Sequence, residues 1–236
     1  MNFSIEDLDY FIQNIWDNSF SNNNGGMASQ DMFTLFFTLR NINPKIVIES
    51  GVWNGMSTKL IRKTLGSDAI IICLDPRDIP SGGYKDKNPN TIYYIGKQFL
   101  DFGSLDLQKY NPNDIFAFFD CHQNAPLRLL QCKNKNIYQC LFNDNYPVKL
   151  GSHYTFEHLY NNDNRYNKFN DTEKKHIMDL IETYHIFPNI FNTIMKFSEG
   201  TVICKGFFEN DSGDKKYNVF RNDINKYRWN TYIKIK

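Results

Sequence analysis

The sequence lacks any apolar run long enough to cross a bilayer, which takes roughly 18 to 20 consecutive apolar residues. Its first residues, MNFSIEDLDYF, are acidic and amphipathic, without the basic and apolar regions of a secretory signal peptide. We therefore expect a cytoplasmic protein with no membrane span.

Paired cysteines are also missing. The chain has five cysteines, an odd number, and no two of them form a CxxC motif. This pattern argues against a disulfide framework or a zinc cluster, and it favours reduced thiols that belong partly to the core.

A strong excess of one charge is absent too. Lysine and arginine total 27 against 26 acids, so no overall field favours a nucleic acid partner. One local bias stands out, because residues 215–236 contain seven basic residues and a single acid, Asp223. This segment is either the solvated face of a C-terminal hairpin or a rim that attracts an acidic substrate.

What the sequence does contain is a series of short apolar runs that alternate with helical patterns. Such alternation is typical of βαβ units and a parallel sheet. We predict an α/β fold with a Rossmann-like, doubly wound, mainly parallel sheet in one domain spanning 1–236. The runs that predict its buried strands are 45–49, 69–74, 115–119 and 137–142.

The alternation stops after residue 145. Residues 146–197 are polar and rich in Tyr and Asn, and we interpret them as an inserted cap. Within the cap we predict a helix over 172–184, capped by Asp171 or Thr172. Residues 200–206 and 229–235 then predict two late strands, paired as an antiparallel C-terminal hairpin.

The stretch ESGVWNGMST, at residues 49–58, predicts a ligand-binding turn between a buried strand and a helix. Its glycines allow the main chain to approach a ligand closely, and the helix N-terminus offers free N–H groups. The stretch lacks the first glycine of the dinucleotide fingerprint and the Lys-Ser/Thr of a P-loop. Both departures weigh against a pyrophosphate ligand. A carboxylate at the head of the turn instead suits a cationic or hydroxyl-bearing ligand.

This turn, together with Asp75 at the end of the next strand, resembles motif I and the following acid of class I S-adenosylmethionine (SAM)-dependent methyltransferases. The form E-x-G-V-W-x-G is similar to that of metal-dependent sugar O-methyltransferases, which act on macrolide and aminocoumarin antibiotics, and of the cephalosporin-hydroxylase-like and rhamnosyl-methyltransferase group. The resemblance implies that Glu49 and Gly51 lie near the methionine part of SAM and that Asp75 holds the ribose hydroxyls. The expected cofactor site comprises Gly26, Glu49, Gly51, Gly55, Ser57 and Asp75.

The same resemblance implies a divalent metal, Mg²⁺ or Mn²⁺, at the ends of the next two strands. Its ligands would be Asp120, Asp144 and Asn145, whereas Asn143 replaces an acid of the family pattern. His122 follows Asp120 closely, and it is our candidate base because imidazole changes charge near neutral pH. The expected catalytic pair is therefore Asp120 and His122.

These patterns favour a SAM-dependent O-methyltransferase that acts on a sugar hydroxyl of a glycan or small glycoside, and a homo-oligomer is compatible with them. Two alternatives stay open: a non-catalytic SAM- or nucleotide-binding module of the same fold, and an NAD-type oxidoreductase. The individual residues have alternatives as well. Glu49 could cap the helix, Asp75 could be a turn residue, and Gly26 could belong to an ordinary turn.

Overall fold

The computed structural model describes residues 1–23, 25–148, 150–197, 200–226 and 228–236. The α-helices are α1 (Ile5–Tyr10), α2 (Ser29–Ile42), α3 (Met56–Leu65), α4 (Ala125–Asn134), α5 (Phe156–Tyr160), α6 (Asp171–Leu180) and α7 (Asn218–Arg221). The strands are β1 (Ile46–Ser50), β2 (Ile70–Asp75), β3 (Thr91–Ile95), β4 (Ile115–Phe119), β5 (Gln139–Phe142), β6 (Ile181–Ile186), β7 (Asn189–Phe191), β8 (Thr193–Phe197), β9 (Gly200–Cys204), β10 (Gly206–Phe208) and β11 (Thr231–Ile235).

A seven-stranded sheet with the order β3-β2-β1-β4-β5-β11-β6 forms the centre of the fold. β1 to β5 run parallel, and β11 pairs antiparallel with both β5 and β6. The predicted α/β class with a mainly parallel, doubly wound sheet is confirmed. The strand ending near Glu49 lies beside β4, and β4 lies beside β5, as the resemblance implies.

Two hydrophobic layers cover the two faces of this sheet, because successive strand side chains point to opposite sides. Val47 packs with the aromatic residues of α2, whereas Ile46 and Ile48 pack with α4, α5 and α6. No helix among the described residues is both long and apolar enough to cross a membrane.

The late strands exist, but their pairing differs from the prediction. Residues 200–204 pair with 193–197 in a separate hairpin of β8 and β9, and residues 231–235 enter the main sheet between β5 and β6. β11 is buried along most of its length. An apolar strand of this kind gains more from burial in the central sheet than from an exposed hairpin.

Residues 146–197, which were predicted to form a cap, include elements of the main layers: α6 packs on the sheet, and β6 is an edge strand of it. The predicted helix over 172–184 ends earlier, at Leu180, and the chain continues directly as the edge strand β6. Asn170, rather than Asp171 or Thr172, caps α6 by accepting from the Glu173 amide. Outside the main layers lies the β8–β9 hairpin, whereas α5 packs in the layer that also contains α4 and α6.

Gly51 brings the end of β1 against the end of β4. Its φ is +98°, and a Cβ there would collide with the backbone carbonyl of Asp120. Gly66 is a natural comparison because its φ is +80°, yet a Cβ there would meet no atom within 4 Å. Of these two glycines, only Gly51 combines a positive φ with the close approach of another backbone segment.

We predict that Gly51→Ala lowers the free energy of unfolding more than Gly66→Ala does. Both variants place an alanine at a positive φ, at a backbone cost of roughly 1–3 kcal/mol each. Gly51→Ala adds an overpacking cost of roughly 1–3 kcal/mol. Urea denaturation of both variants measures the difference. Equal losses would show that the approach to Asp120 does not constrain the turn.

Candidate functional site

The carboxyl ends of β1, β2, β4 and β5 meet at one edge of the sheet, where ligands bind in open α/β folds. A cavity of about 610 Å³ opens at this edge. Its lining includes Gly25, Gly26, Met27, Gly51, Trp53, Asp75, Arg77, Asp120, His122, Asn143, Asp144, Tyr146, Lys226 and Arg228. Three sequence motifs thus converge there: the glycine turn, the strand-end acids and the C-terminal basic segment.

The turn after β1 is fixed by the carboxylate of Asp75. Its Oδ2 accepts hydrogen bonds from the backbone N–H groups of Val52 and Trp53, at 2.9 and 3.0 Å. Its Oδ1 accepts from the backbone N–H and the Nε of Arg77, at 2.9 and 3.2 Å. The Arg77 guanidinium lies 4.7 Å from the centre of the Trp53 ring. Asp75 is therefore first of all the residue that shapes the turn.

This hydrogen bonding also governs the charge of Asp75. Burial raises the pKa of its carboxyl, but the bonds from Trp53 and Arg77 outweigh burial and hold the pKa below the ordinary value. A carboxylate offers about four acceptor positions, and four donors already use them here. A ribose diol could bind Asp75 only if the exposed side chain of Arg77 moves away.

Glu49 lies beneath the turn and does not belong to the cavity lining. It is fully buried, and its Oε2 accepts a hydrogen bond of 2.6 Å from Thr58 Oγ1 and one of 3.4 Å from Cys73 Sγ. Burial raises the pKa of the Glu49 carboxyl to about 7. Gly55 and Ser57 likewise lie behind the wall, where Gly55 packs against the backbone of Tyr84. Of the expected cofactor residues, Gly26, Gly51 and Asp75 reach the cavity.

Asp120, His122 and Asp144 form a compact cluster on the cavity floor. One potential ligand atom from each lies within 4.8 Å of the others. His122 Nδ1 lies 3.0 Å from Asp144 Oδ2, and Asn143 Nδ2 donates to Asp120 Oδ1 at 2.8 Å. His122 and Asp144 both have left-handed backbones, with φ of 49° and 59°. These turns bring together two side chains from different strand ends.

The three groups of this cluster have displaced pKa values. Burial, together with the charge of Asp144, raises the pKa of Asp120 to about 7. Burial also raises the pKa of Asp144, but the hydrogen bond with His122 outweighs it and the pKa falls below the ordinary range. The same hydrogen bond raises the pKa of His122. Neighbouring acids and bases with displaced pKa values in one cavity are typical of functional sites.

Asn145 does not join the cluster, which corrects its expected role as a metal ligand. Its Nδ2 donates to Tyr184 Oη and Thr231 Oγ1, each at 2.8 Å, and its Oδ1 accepts from the Phe156 amide at 3.0 Å. Its amide is thus used to join the end of β5 to β6, β11 and α5. The third polar group of the cluster is His122.

The sequence reasoning missed several residues of the cavity wall. Arg228 approaches Asp144, with 3.5 Å between Arg228 Nε and Asp144 Oδ1. Its guanidinium lies 5.8 Å from the centre of the Tyr146 ring. The basic bias of residues 215–236 was the available signal for Arg228, and the Tyr that follows the NDN cluster was the signal for Tyr146. Their meeting depends on where β11 enters the sheet.

No family model matches the sequence, and no curated protein matches it. Among solved structures, an O-methyltransferase from Bacillus cereus in complex with S-adenosylhomocysteine (SAH) is similar at 12% identity and a TM-score of 0.48, covering 98% of this chain and 97% of that one. An O-methyltransferase of tomaymycin synthesis from Streptomyces achromogenes, in complex with SAM, has 10% identity and a TM-score of 0.49, over 85% and 96%. An SAH-bound methyltransferase from Podospora anserina has 14% identity and a TM-score of 0.47, over 88% and 98%. At these identities the function of the chain has to be argued from its own residues.

We predict that Asp75→Ala destabilises the fold as well as the turn. Without the carboxylate, the backbone N–H groups of Val52, Trp53 and Arg77 lose their partner, and an unsatisfied buried donor costs about 1–3 kcal/mol. Asp75→Asn keeps one acceptor oxygen, so its loss should be smaller. Urea denaturation measures both, with the exposed Asp68→Ala as the control, which should change stability by less than about 0.5 kcal/mol. A neutral Asp75→Ala would mean that the turn keeps its shape without this carboxylate.

We predict that the free energy of unfolding depends on pH through Glu49. Its pKa is raised from 4.5 to about 7, so the folded chain keeps a proton that the unfolded chain releases, and this proton is lost as pH rises through 7. Stability should therefore fall between about pH 4.5 and 7, by up to roughly 3 kcal/mol from this group. Glu49→Gln should gain stability relative to wild type over the same interval.

Urea unfolding of wild type and Glu49→Gln at several pH values between 5 and 8 measures this difference. The exposed Glu209→Gln is the matched control and should follow the wild-type curve. Parallel curves for Glu49→Gln and wild type would mean that Glu49 is ionised in the folded protein throughout this range.

Proposed function

We propose that the chain is a SAM-dependent O-methyltransferase that acts on a sugar hydroxyl of a glycan or small glycoside. The observation that carries the proposal is the Asp120–His122–Asp144 cluster, which lies in the same cavity as the glycine turn. The part of the cavity beside the glycine turn offers a place for a cofactor. The cluster offers the groups that an alcohol needs to lose its proton.

The part of the cavity beside the glycine turn fits SAM in size, and Gly51 lets a cofactor approach the backbone closely. A cavity of about 610 Å³ is within the usual range for a cofactor site. Gly51 presents bare backbone to it, and the Trp53 ring and the Gly25–Met27 segment form its walls. When bound, SAM supplies the methyl group. Contact between Asp75 and the ribose would require Arg77 to give up its bond to that carboxylate.

The cluster also fits a divalent ion. Asp120 and Asp144 offer oxygen ligands of the kind that Mg²⁺ and Mn²⁺ prefer. When bound, the ion would lower the pKa of the acceptor hydroxyl. Asn143 is turned toward Asp120 through its amide N–H, so it holds that carboxylate in place.

His122 is the group that we propose takes the acceptor proton. Its Nδ1 lies against Asp144 Oδ2 at 3.0 Å, so Asp144 orients the ring and stabilises the imidazolium that forms. Nε2 is then the nitrogen available to the acceptor hydroxyl. The side chain is more than half exposed and lines the cavity, so an acceptor can reach it. Alignment of the hydroxyl with the methyl group would come from the surrounding walls.

Calorimetry with SAH and turnover with labelled SAM test the proposal. Wild type should bind SAH and methylate a member of a panel of sugar hydroxyls in the presence of Mg²⁺. His122→Gln should lower kcat by roughly 10²-fold or more, as expected for loss of a positioned base, with the affinity for SAH unchanged. The exposed His176→Gln should behave as wild type.

The other outcomes separate the alternatives. Binding of NAD without binding of SAH would indicate an oxidoreductase. Binding of SAH without turnover on any acceptor would indicate a non-catalytic module. Turnover that survives a chelator but not His122→Gln would leave a metal-free mechanism with His122 as the base.

A further inference from the structure

Arg228 is a cation of the cavity wall whose hydrogen-bonding capacity is largely unused. Its side chain is 36% exposed and lines the cavity close to Asp144. Its Nε reaches Asp144 Oδ1 only at 3.5 Å, which is the length of an ion pair rather than of a strong hydrogen bond. Its two terminal amino groups have no hydrogen-bond partner among the residues that the structure describes.

Asp144 does not satisfy this guanidinium. The Oδ2 of Asp144 is engaged by His122 Nδ1 at 3.0 Å, so the carboxylate cannot form the two parallel bonds that arginine makes with an acid. A planar, permanently charged guanidinium with free N–H groups is suited to bidentate binding of a carboxylate or a phosphate. The exposed edge of Arg228 is thus a receptor for an anionic group that enters the cavity.

Two features make the position accessible and attractive to an anion. Arg228 also lines a neighbouring cavity of about 380 Å³ beside the β8–β9 hairpin, so the residue borders two cavities. Lys226 lies on the same wall with its side chain 62% exposed, and pairs with Asp223 at 2.8 Å. Lys226 adds positive charge at the rim, while Arg228 supplies the directed donors.

The distance between this anion receptor and the proposed base is set by a single carboxylate. His122 and Arg228 contact the two oxygens of Asp144. One molecule in the cavity can therefore present a hydroxyl to His122 and an acidic group to Arg228. A neutral sugar offers the guanidinium only uncharged acceptors.

We propose that the acceptor is a hydroxy acid, in which a carboxylate or phosphate accompanies the hydroxyl that is methylated. The acidic group binds the terminal amino groups of Arg228. This inference rests on the proposed function, since it names the acceptor class of the same site. Among sugars it selects acidic ones, such as uronates or sugar phosphates, over neutral ones.

Binding of three probes tests the inference: glucuronate, glucose 6-phosphate and glucose, titrated by calorimetry into wild type and variants with and without SAH. Wild type should bind one acidic probe at least about tenfold more tightly than glucose, because a charged bidentate contact is added. The tighter of the two acidic probes identifies carboxylate or phosphate as the recognised group.

Three variants separate the directed contact from general charge. Arg228→Gln should abolish the preference for the acidic probe. Arg228→Lys keeps the charge but loses the planar fork, so it should retain only part of the preference. Lys215→Gln removes one charge from the same basic segment at an exposed position outside the cavity lining, and it should leave the preference intact. The affinity for SAH should be the same in all three.

Equal binding of glucose and the acidic probes by wild type would overturn the inference. An equal effect of Lys215→Gln and Arg228→Gln would also overturn it, since general charge would then explain the preference. Failure of the proposed function looks different: wild type would not bind SAH, while the acidic preference could still be read without it. Circular dichroism of each variant confirms that a lost preference does not come from unfolding.

Discussion

The hydrogen bonds from the Val52 and Trp53 amides to Asp75 are the interaction on which the rest of the site depends. They tie the turn after β1 to the end of β2, which positions Gly51 against the backbone of Asp120. That approach in turn sets where the cluster on β4 and β5 lies relative to the turn. A buried carboxylate that holds the two turn amides is a rigid support, because moving either amide away would leave a polar group without its partner.

Asp144 has a comparable role on the other side of the cavity. Its two oxygens face two nitrogen-bearing side chains, His122 and Arg228, that come from distant parts of the chain. The carboxylate is buried, so its charge is only weakly screened by solvent and acts strongly on both neighbours. A substitution at Asp144 would disturb the proposed base and the anion receptor together. The effects of substitutions at these three positions should therefore not be additive.

The parts of the fold that the sequence predicted are those in which local pattern and tertiary environment agree. The apolar runs at 45–49, 69–74 and 115–119 are long enough to require burial on both faces, and a polar residue ends or directly follows each of the strands that they predicted. Gly51 was identifiable because only glycine suits such a turn. The ends of β4 and β5 follow from the rule that ligands bind at the carboxyl edge of a parallel sheet.

The parts of the fold and site that the sequence did not predict depend on contacts between distant segments. Whether Asn145 or His122 faces the cavity is decided by the left-handed backbones at His122 and Asp144, which have no signature in the local pattern. The place of Arg228 follows from the entry of β11 between β5 and β6, and an apolar strand can pair with several edges. The sequence also allowed Asp75 to be a turn residue, and its hydrogen bonds from the Val52 and Trp53 amides support that role.

The position of β11 has a consequence for the order in which the chain can fold. β6 precedes β11 in sequence, yet its partner in the sheet is β11. A nascent chain that folds from its N-terminus can assemble β1 to β5 early, but β6 has no strand to join until residues 231–235 have been synthesised. Until then the exposed edge of β5 and the apolar face of β6 are available to the wrong partners. The final step of assembly is thus the insertion of one strand into a gap, and it also brings Arg228 to the cavity.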